Sequence, residues 1–188
     1  DLEVSGLDYS PIGCEMATKI TRANGVDAKI FCADLFCPPS SMLGQFDVVV
    51  SFGVVEHFED TALCLKSVSA FLKPGGLMIT SIPNMVGLIG GLQKLINKPV
   101  YNIHHLIDSG MLFAAHKFAD LDVAECDYFI ASSFGVANLE GVATNNLPGL
   151  SKKLLLGILS RFSKLVWTIE NRVGIFPSSK SLSPYIYC

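Results

Sequence analysis

The sequence predicts an α/β fold: a doubly wound, mostly parallel sheet with helices on both faces. Three observations predict it. Between residues 2 and 84, β-branched apolar runs alternate with stretches of helical periodicity, the pattern of strands joined by crossover helices. Residues 46–52, Phe-Asp-Val-Val-Val-Ser-Phe, suit a strand buried on both faces of a parallel sheet. Residues 46–84 together read strand, loop, helix, turn, strand, a natural length for one right-handed βαβ unit.

Each element follows in order. Leu2–Asp8 reads as a strand running into an acidic end. Pro11–Asn24 reads as a helix, with proline in its first turn, Cys14, Met16, Ala17 and Ile20 facing inward, and Asn24-Gly25 as its stop. Ala28–Ala33 is a strand closed by Asp34, and Phe46–Phe52 is the next. Gly53–Asp60 is a loop holding Glu56 and His57. Asp60 or Thr61 caps a helix carrying Leu65, Val68, Phe71 and Leu72 on one side. Lys73-Pro74-Gly75-Gly76 stops that helix and turns the chain into the strand Leu77–Ile82. Met85–Ile96 is apolar and helical despite three glycines, and Tyr101–Leu106 is a polar loop with His104 and His105. Asp108 or Ser109 caps a helix ending near Phe118, and Leu121–Ser132 reads as a sixth strand. A long amphipathic helix occupies 150–176, its apolar stripe lying between 152 and 173, and Pro184–Cys188 begins a last strand.

Composition narrows the function. A net charge of -3 over 188 residues gives no reason to expect nucleic-acid binding. The six cysteines (14, 32, 37, 64, 126, 188) form no zinc pattern and read as reduced, packed thiols of a cytoplasmic protein. No leader is expected, and the uncharged stretch 74–93 is too interrupted by glycine and Pro83 to cross a bilayer.

Asp8 and Asp34 close successive strands. In an open parallel sheet, ligands sit at the carboxyl ends of strands, where a carboxylate can accept from a ribose diol or an exocyclic amine. Alternatively, each caps its own turn, as aspartate commonly does. Glu56 and His57 lie at such an end too, as base and partner or as organisers of the loop. His104 and His105, with Tyr101, are substrate contacts or plain surface residues. The 152–173 stripe faces a core, or makes a membrane-surface or protein contact, since five of its six charges are basic.

Val4-Ser-Gly-Leu-Asp8-Tyr-Ser10-Pro, Ala33-Asp34, Phe46–Ser51, Val55-Glu56-His57 and Leu72-Lys-Pro-Gly-Gly76 together resemble the successive signatures of class I S-adenosylmethionine-dependent methyltransferases. The likeness is close from Leu2 to Asn84 and loose beyond. It implies a Rossmann-like methyltransferase fold with S-adenosyl-L-methionine as cofactor. By that resemblance Asp8, with Tyr9 beside it, meets the ribose hydroxyls. Asp34 meets the adenine amine near the Leu35 backbone, and Ser51 and Phe52 lie beside the methionyl part. The segment 85–118 becomes the variable part that covers the substrate. The implied reaction is methyl transfer to a small-molecule oxygen or nitrogen acceptor; the alternative is a non-catalytic domain docking through 152–173. The family's glycine-rich loop and the strand before it have no counterpart here, so 1–188 is expected to be a single domain truncated at both ends, lacking its first strand. In the ubiquinone-biosynthesis branch a further glutamate stands three residues before the Glu-His pair and assists metal binding. Gly53 occupies that position, which argues against that branch and against a metal.

Overall fold

The computed structural model describes residues 2–174 and 176–188. Its elements are β1 Val4–Asp8, α1 Pro11–Ala23, β2 Ala28–Cys32, β3 Phe46–Phe52, α2 Thr61–Ser69, β4 Leu72–Pro83, α3 Leu88–Ile96, α4 Lys98–Asn102, α5 Ser109–Phe118, β5 Asp127–Phe129, α6 Leu147–Val173 and β6 Tyr185–Tyr187. The chain divides into two compact units, Asp1–Val49 with Lys66–Met78, and Val50–Leu65 with Ile79–Cys188. Among the described residues β1 and β2 make a two-stranded sheet, and β3, β4, β6 and β5 line up in that order in a second.

In the first unit β1 and β2 run parallel, with Val4 opposite Ala28 and Asp8 opposite Cys32. Ser10 caps α1 by accepting from the Gly13 amide at 3.2 Å, and Pro11 fills the first turn. Met16 and Ile20, expected to face inward, are more than half exposed. Periodicity places them on one helical face, which the described residues leave largely open. Phe46 and Phe71 meet edge to face at 6.5 Å, and Asp47 pairs with Lys73 at 2.8 Å.

The core of the second unit is built from Leu65, Ile82, Ile89, Ile96, Leu112 and Ile186, each at most 1% exposed. Here β6 runs antiparallel to both β4 and β5. Buried amides tie the irregular segments to this core. Asn84 donates to the Lys180 and Ser183 carbonyls, both at 2.8 Å, and accepts from the Gly87 amide at 3.1 Å. Gln93 holds the 138 segment in both directions, donating to the Asn138 carbonyl and accepting from its amide.

Five expectations need correction. β3 has the predicted bounds, but it lies at the edge of its sheet, and Val48 and Val50 are about half exposed rather than buried. Lys73–Gly76 does not turn the chain, since α2 already ends at Ser69 and these residues open β4. Gly76 is there because a Cβ would stand 3.1 Å from the Asp47 carbonyl. The sixth strand shrinks to Asp127–Phe129, because Ile130 takes a left-handed φ of 65° and its partner β6 is three residues long. Tyr101 sits in α4, not in a loop. The long helix spans Leu147–Val173 rather than 150–176; Asn146 caps it through the Gly149 amide at 2.8 Å, and residue 175 lies outside the described residues. Its apolar stripe is open, with Ile158, Phe162 and Leu165 each more than half exposed. The helix instead anchors through Ser163, which accepts from the Phe134 amide at 2.9 Å, and Trp167, which donates to the Ser132 carbonyl at 3.1 Å.

Candidate active site

In the first unit, Asp8 ends β1 and Asp34 follows β2 by two residues, so both carboxylates sit at the carboxyl ends of neighbouring parallel strands. Each accepts a backbone amide two residues on: Ser10 to Asp8 Oδ1 at 2.8 Å, Phe36 to Asp34 Oδ1 at 2.9 Å. Those are the turn-capping bonds expected of aspartate, and each uses one oxygen. A Cβ on Gly13 would overlap the Asp8 carboxylate, so glycine is what leaves Asp8 its place beside the start of α1. Tyr9 is exposed and Leu35 half-buried.

In the second unit, Ser51 is buried near the end of β3 with no hydrogen-bond partner for its hydroxyl among the described residues, while Phe52 is exposed. The chain then turns at Gly53, whose φ of 64° favours glycine, and enters a 3-10 turn over Val55–His57. That turn and the loop after α4 are pinned together. The His105 amide donates to the Glu56 carbonyl at 2.7 Å, and His57 Nδ1 meets the Ile103 carbonyl at 3.0 Å. The His57 and His104 rings stand 4.7 Å apart. His104 Nδ1 meets the Val100 carbonyl at 2.7 Å. Tyr101 is not drawn in by its ring, which faces Lys94 at 5.4 Å.

A carbonyl only accepts, so both histidines carry a proton on Nδ1, and in the neutral ring Nε2 is the bare nitrogen. Glu56 is 1% exposed, and neither carboxylate oxygen has a hydrogen-bond partner among the described residues. His57 Nε2 stands 4.0 Å from Glu56 Oε1. Ligand atoms of Glu56, His57 and His104 all lie within 4.8 Å of one another. The cluster is therefore rich in lone pairs and poor in donors. It can be closed by a proton or by a cation, and imidazole and carboxylate are the donors a divalent metal takes. Burial pushes the Glu56 carboxyl up, with His57 opposing. Burial also holds His104 below the ordinary histidine range.

Residues 2–80 match the family model described as a methyltransferase domain. The ubiquinone biosynthesis O-methyltransferase of Brucella ovis is 30% identical over an alignment covering 63% of this chain and 50% of that protein. Among solved structures, a Bacillus halodurans protein assigned to the methyltransferases superposes with a TM-score of 0.60 at 16% identity, over 99% of this chain and 80% of that one. The match to a methyltransferase domain thus covers residues 2–80, and the solved structures share the Rossmann-like methyltransferase fold. The chain spans about half the length of the curated relatives it matches. The same fold serves other chemistry: the [4+2]-cyclase SpnF superposes with a TM-score of 0.60 at 12% identity, over 99% of this chain and 64% of that one. The methyltransferase fold is thus as the signatures implied. The curated relative carries the name of the branch that Gly53 argues against.

Sequence reasoning missed two polar positions. His116 in α5 is 4% exposed and bonds Thr80 Oγ1 at 2.9 Å. Asn84 is the other, fully buried and clamping the Lys180 and Ser183 carbonyls. No helix among the described residues is long and apolar enough to cross a membrane.

Proposed function

We propose that this domain supports S-adenosylmethionine-dependent methylation of a small-molecule hydroxyl, with His57 as the general base. The carrying observation is the bare Nε2 of His57, on a part-exposed ring whose Nδ1 proton is fixed by the Ile103 carbonyl. The cofactor supplies a methyl group on a sulfonium, already electrophilic. What the chain must add is alignment and, for an oxygen acceptor, removal of a proton. Asp8, Tyr9, Asp34 and Leu35 would hold its adenosine part, and Ser51 and Phe52 its methionyl part. Within the first unit the Asp8 carboxylate, backed by Gly13, spends one oxygen on the Ser10 amide, and within the second the Ser51 hydroxyl has no partner among the described residues. His57 Nε2 accepts the acceptor's hydroxyl proton, and the Glu56 carboxyl 4.0 Å away steadies the imidazolium. His105 and Tyr101 border the substrate side through the 101–105 segment. An amine acceptor would need the same alignment with less demand on the base.

Support comes from the family match and from relatives that are O-methyltransferases by name. The rival role, a non-catalytic docking subunit, draws nothing from those relatives. The open apolar stripe of α6, on a helix where five of six charges are basic, still offers a face for an anionic surface or a protein partner. The test is methyl transfer to a panel of phenols, catechols and amines, followed as S-adenosylhomocysteine released. His57→Gln should lower kcat by about 10²–10⁴-fold, the usual weight of a general base, while S-adenosylhomocysteine affinity stays within threefold. A kcat unchanged in the variant would remove His57 from the chemistry. Turnover without S-adenosylhomocysteine release would point to a cyclase-like activity instead.

A further inference from the structure

Outside the Glu56–His57–His104 cluster, the densest chemistry lies where β5 meets β6. Asp127 pairs with Tyr187 in that antiparallel ladder, so the next positions out, Cys126 and Cys188, stand opposite each other. Cys188 exchanges both backbone bonds with Thr80, at 2.8 and 2.9 Å, so its amide and carbonyl turn towards β4 and away from β5. Towards Cys126 it therefore presents a non-hydrogen-bonded pair. Such pairs place the Cα atoms about 4.5 Å apart and bring side chains closest. That separation falls inside the range of about 4.4–6.8 Å that a disulfide requires. The two thiols share the face of Ile186, which is fully buried, opposite the face where Phe129 stacks on Tyr187 at 5.9 Å.

The two sulfurs are not equivalent. Cys126 Sγ stands 3.5 Å from the Ser109 carbonyl, a second acceptor for its one thiol proton beside Cys188. On the Cys188 side stands His116, whose Nδ1 donates to the Leu112 carbonyl at 2.8 Å and whose Nε2 faces Thr80. That nitrogen is already bonded to Thr80 Oγ1, which lies in the residue paired with Cys188. Hydrogen bonding with Cys126, reinforced by His116, holds the Cys188 thiol below the ordinary range against the effect of burial. The same contact, with burial, pushes Cys126 up. Asp127 on β5 and Glu125 just before it are the nearby carboxylates.

We propose that Cys126 and Cys188 form a reversible dithiol–disulfide site, with Cys188 as the peroxide-reactive sulfur and Cys126 as the resolving one. The Cys188 thiolate attacks one oxygen of a hydroperoxide; an S–O bond forms, the O–O bond breaks, and the departing oxygen leaves protonated. Cys126 then attacks the Cys188 sulfur; the S–S bond forms, the S–O bond breaks, and water leaves with the Cys126 proton. Two thiols and one peroxide give one disulfide and two waters, or one water and one alcohol from an alkyl hydroperoxide. A low-molecular-weight dithiol reverses the product. The thiolate is the reactive form, and its accessibility sets selectivity. In a reducing compartment the pair rests as thiols and closes only under oxidant.

The test uses the reduced, folded protein treated with hydrogen peroxide, then blocked with N-ethylmaleimide and peptide-mapped. The expected result is one cross-linked peptide pair joining Cys126 to Cys188, reversed by dithiothreitol. Cys126→Ser should leave a sulfenic acid on Cys188 that dimedone traps. Cys188→Ser should trap at least about tenfold less on Cys126, since the thiolate fraction sets the rate. The wild-type map needs no variant to fold. It overturns the proposal if both cysteines remain free while circular dichroism is unchanged, or if the only link joins Cys14 to Cys32, the other neighbouring thiols. Dimedone on Cys126 rather than Cys188 would overturn the assignment of roles.

Discussion

Replacing Glu56 with glutamine should stabilise the protein at pH 8 and leave it unchanged in mild acid. Glu56 is 1% exposed, and both its carboxylate oxygens are buried with no partner among the described residues. Burial raises its folded-state affinity for a proton above the unfolded value. Between the two values the folded state binds more protons than the unfolded one, so stability falls as pH rises through that window. Below the unfolded value, both states are protonated and nothing is lost. An unsatisfied buried group costs about 1–3 kcal/mol, more when charged. Glutamine removes the ionisation, and its amide can donate towards the bare Nε2 of His57. The variant should gain about 1–3 kcal/mol at pH 8, or about 2–4 °C in Tm per kcal/mol for a chain of this size. Urea midpoints between pH 4.5 and 8.5, in the presence of a chelator, read this directly. A variant less stable than wild type at pH 8, or parallel pH profiles, would refute the reasoning. The same titration with added magnesium or zinc separates the two ways of closing the cluster. If the wild type gains stability from the metal and the variant does not, a cation and not a proton sits among Glu56, His57 and His104.

Asp8→Ala should weaken S-adenosylhomocysteine binding by about tenfold or more, as for loss of a charged hydrogen bond. Calorimetry with unchanged affinity would end that assignment. Gly13→Ala should also weaken binding, because its Cβ displaces the Asp8 carboxylate, even though alanine is the better helix former. Two adjacent glycines in α3 should respond with opposite sign. Gly91 is exposed with nothing near its missing Cβ, so Gly91→Ala should stabilise by about 0.5–1 kcal/mol. Gly90 is buried with the Met85 carbonyl where a Cβ would go, so Gly90→Ala should destabilise by about 1–3 kcal/mol. Equal urea midpoints for the two variants would mean the α3 packing is not as described.

Elements with strong local signals were legible. The bounds of β3 follow from its β-branched run, and α5 begins where Asp108 caps it, accepting from the Met111 amide at 3.0 Å. What periodicity could not supply was cover. It says that Met16 and Ile20, or Val48 and Val50, share a face, and not that anything lies against it. The short β5 was illegible for another reason, since a left-handed Ile130 is set by tertiary contacts that outweigh its own preference. In the candidate site, the residue types were legible one at a time. Their protonation geometry was not. His57 and His104 each show a bare Nε2 only because carbonyls far along the chain or four residues back hold Nδ1. Those bonds have no signature in spacing.

The distinction matters because the fold alone leaves the chemistry open. A methyltransferase domain and a [4+2]-cyclase share this architecture, and a fold hosts whatever its loops assemble. What separates the options here is the hydrogen count at one turn. Three lone-pair donors within 4.8 Å, with no partner for the Glu56 oxygens among the described residues, make a site that must take up something positive. A proton taken from an acceptor hydroxyl satisfies it during turnover. A standing cation would satisfy it at rest and leave His57 without a free lone pair. Base catalysis by His57 and a cation held at rest by its Nε2 are therefore mutually exclusive, and the pH dependence of Glu56→Gln with and without metal decides between them.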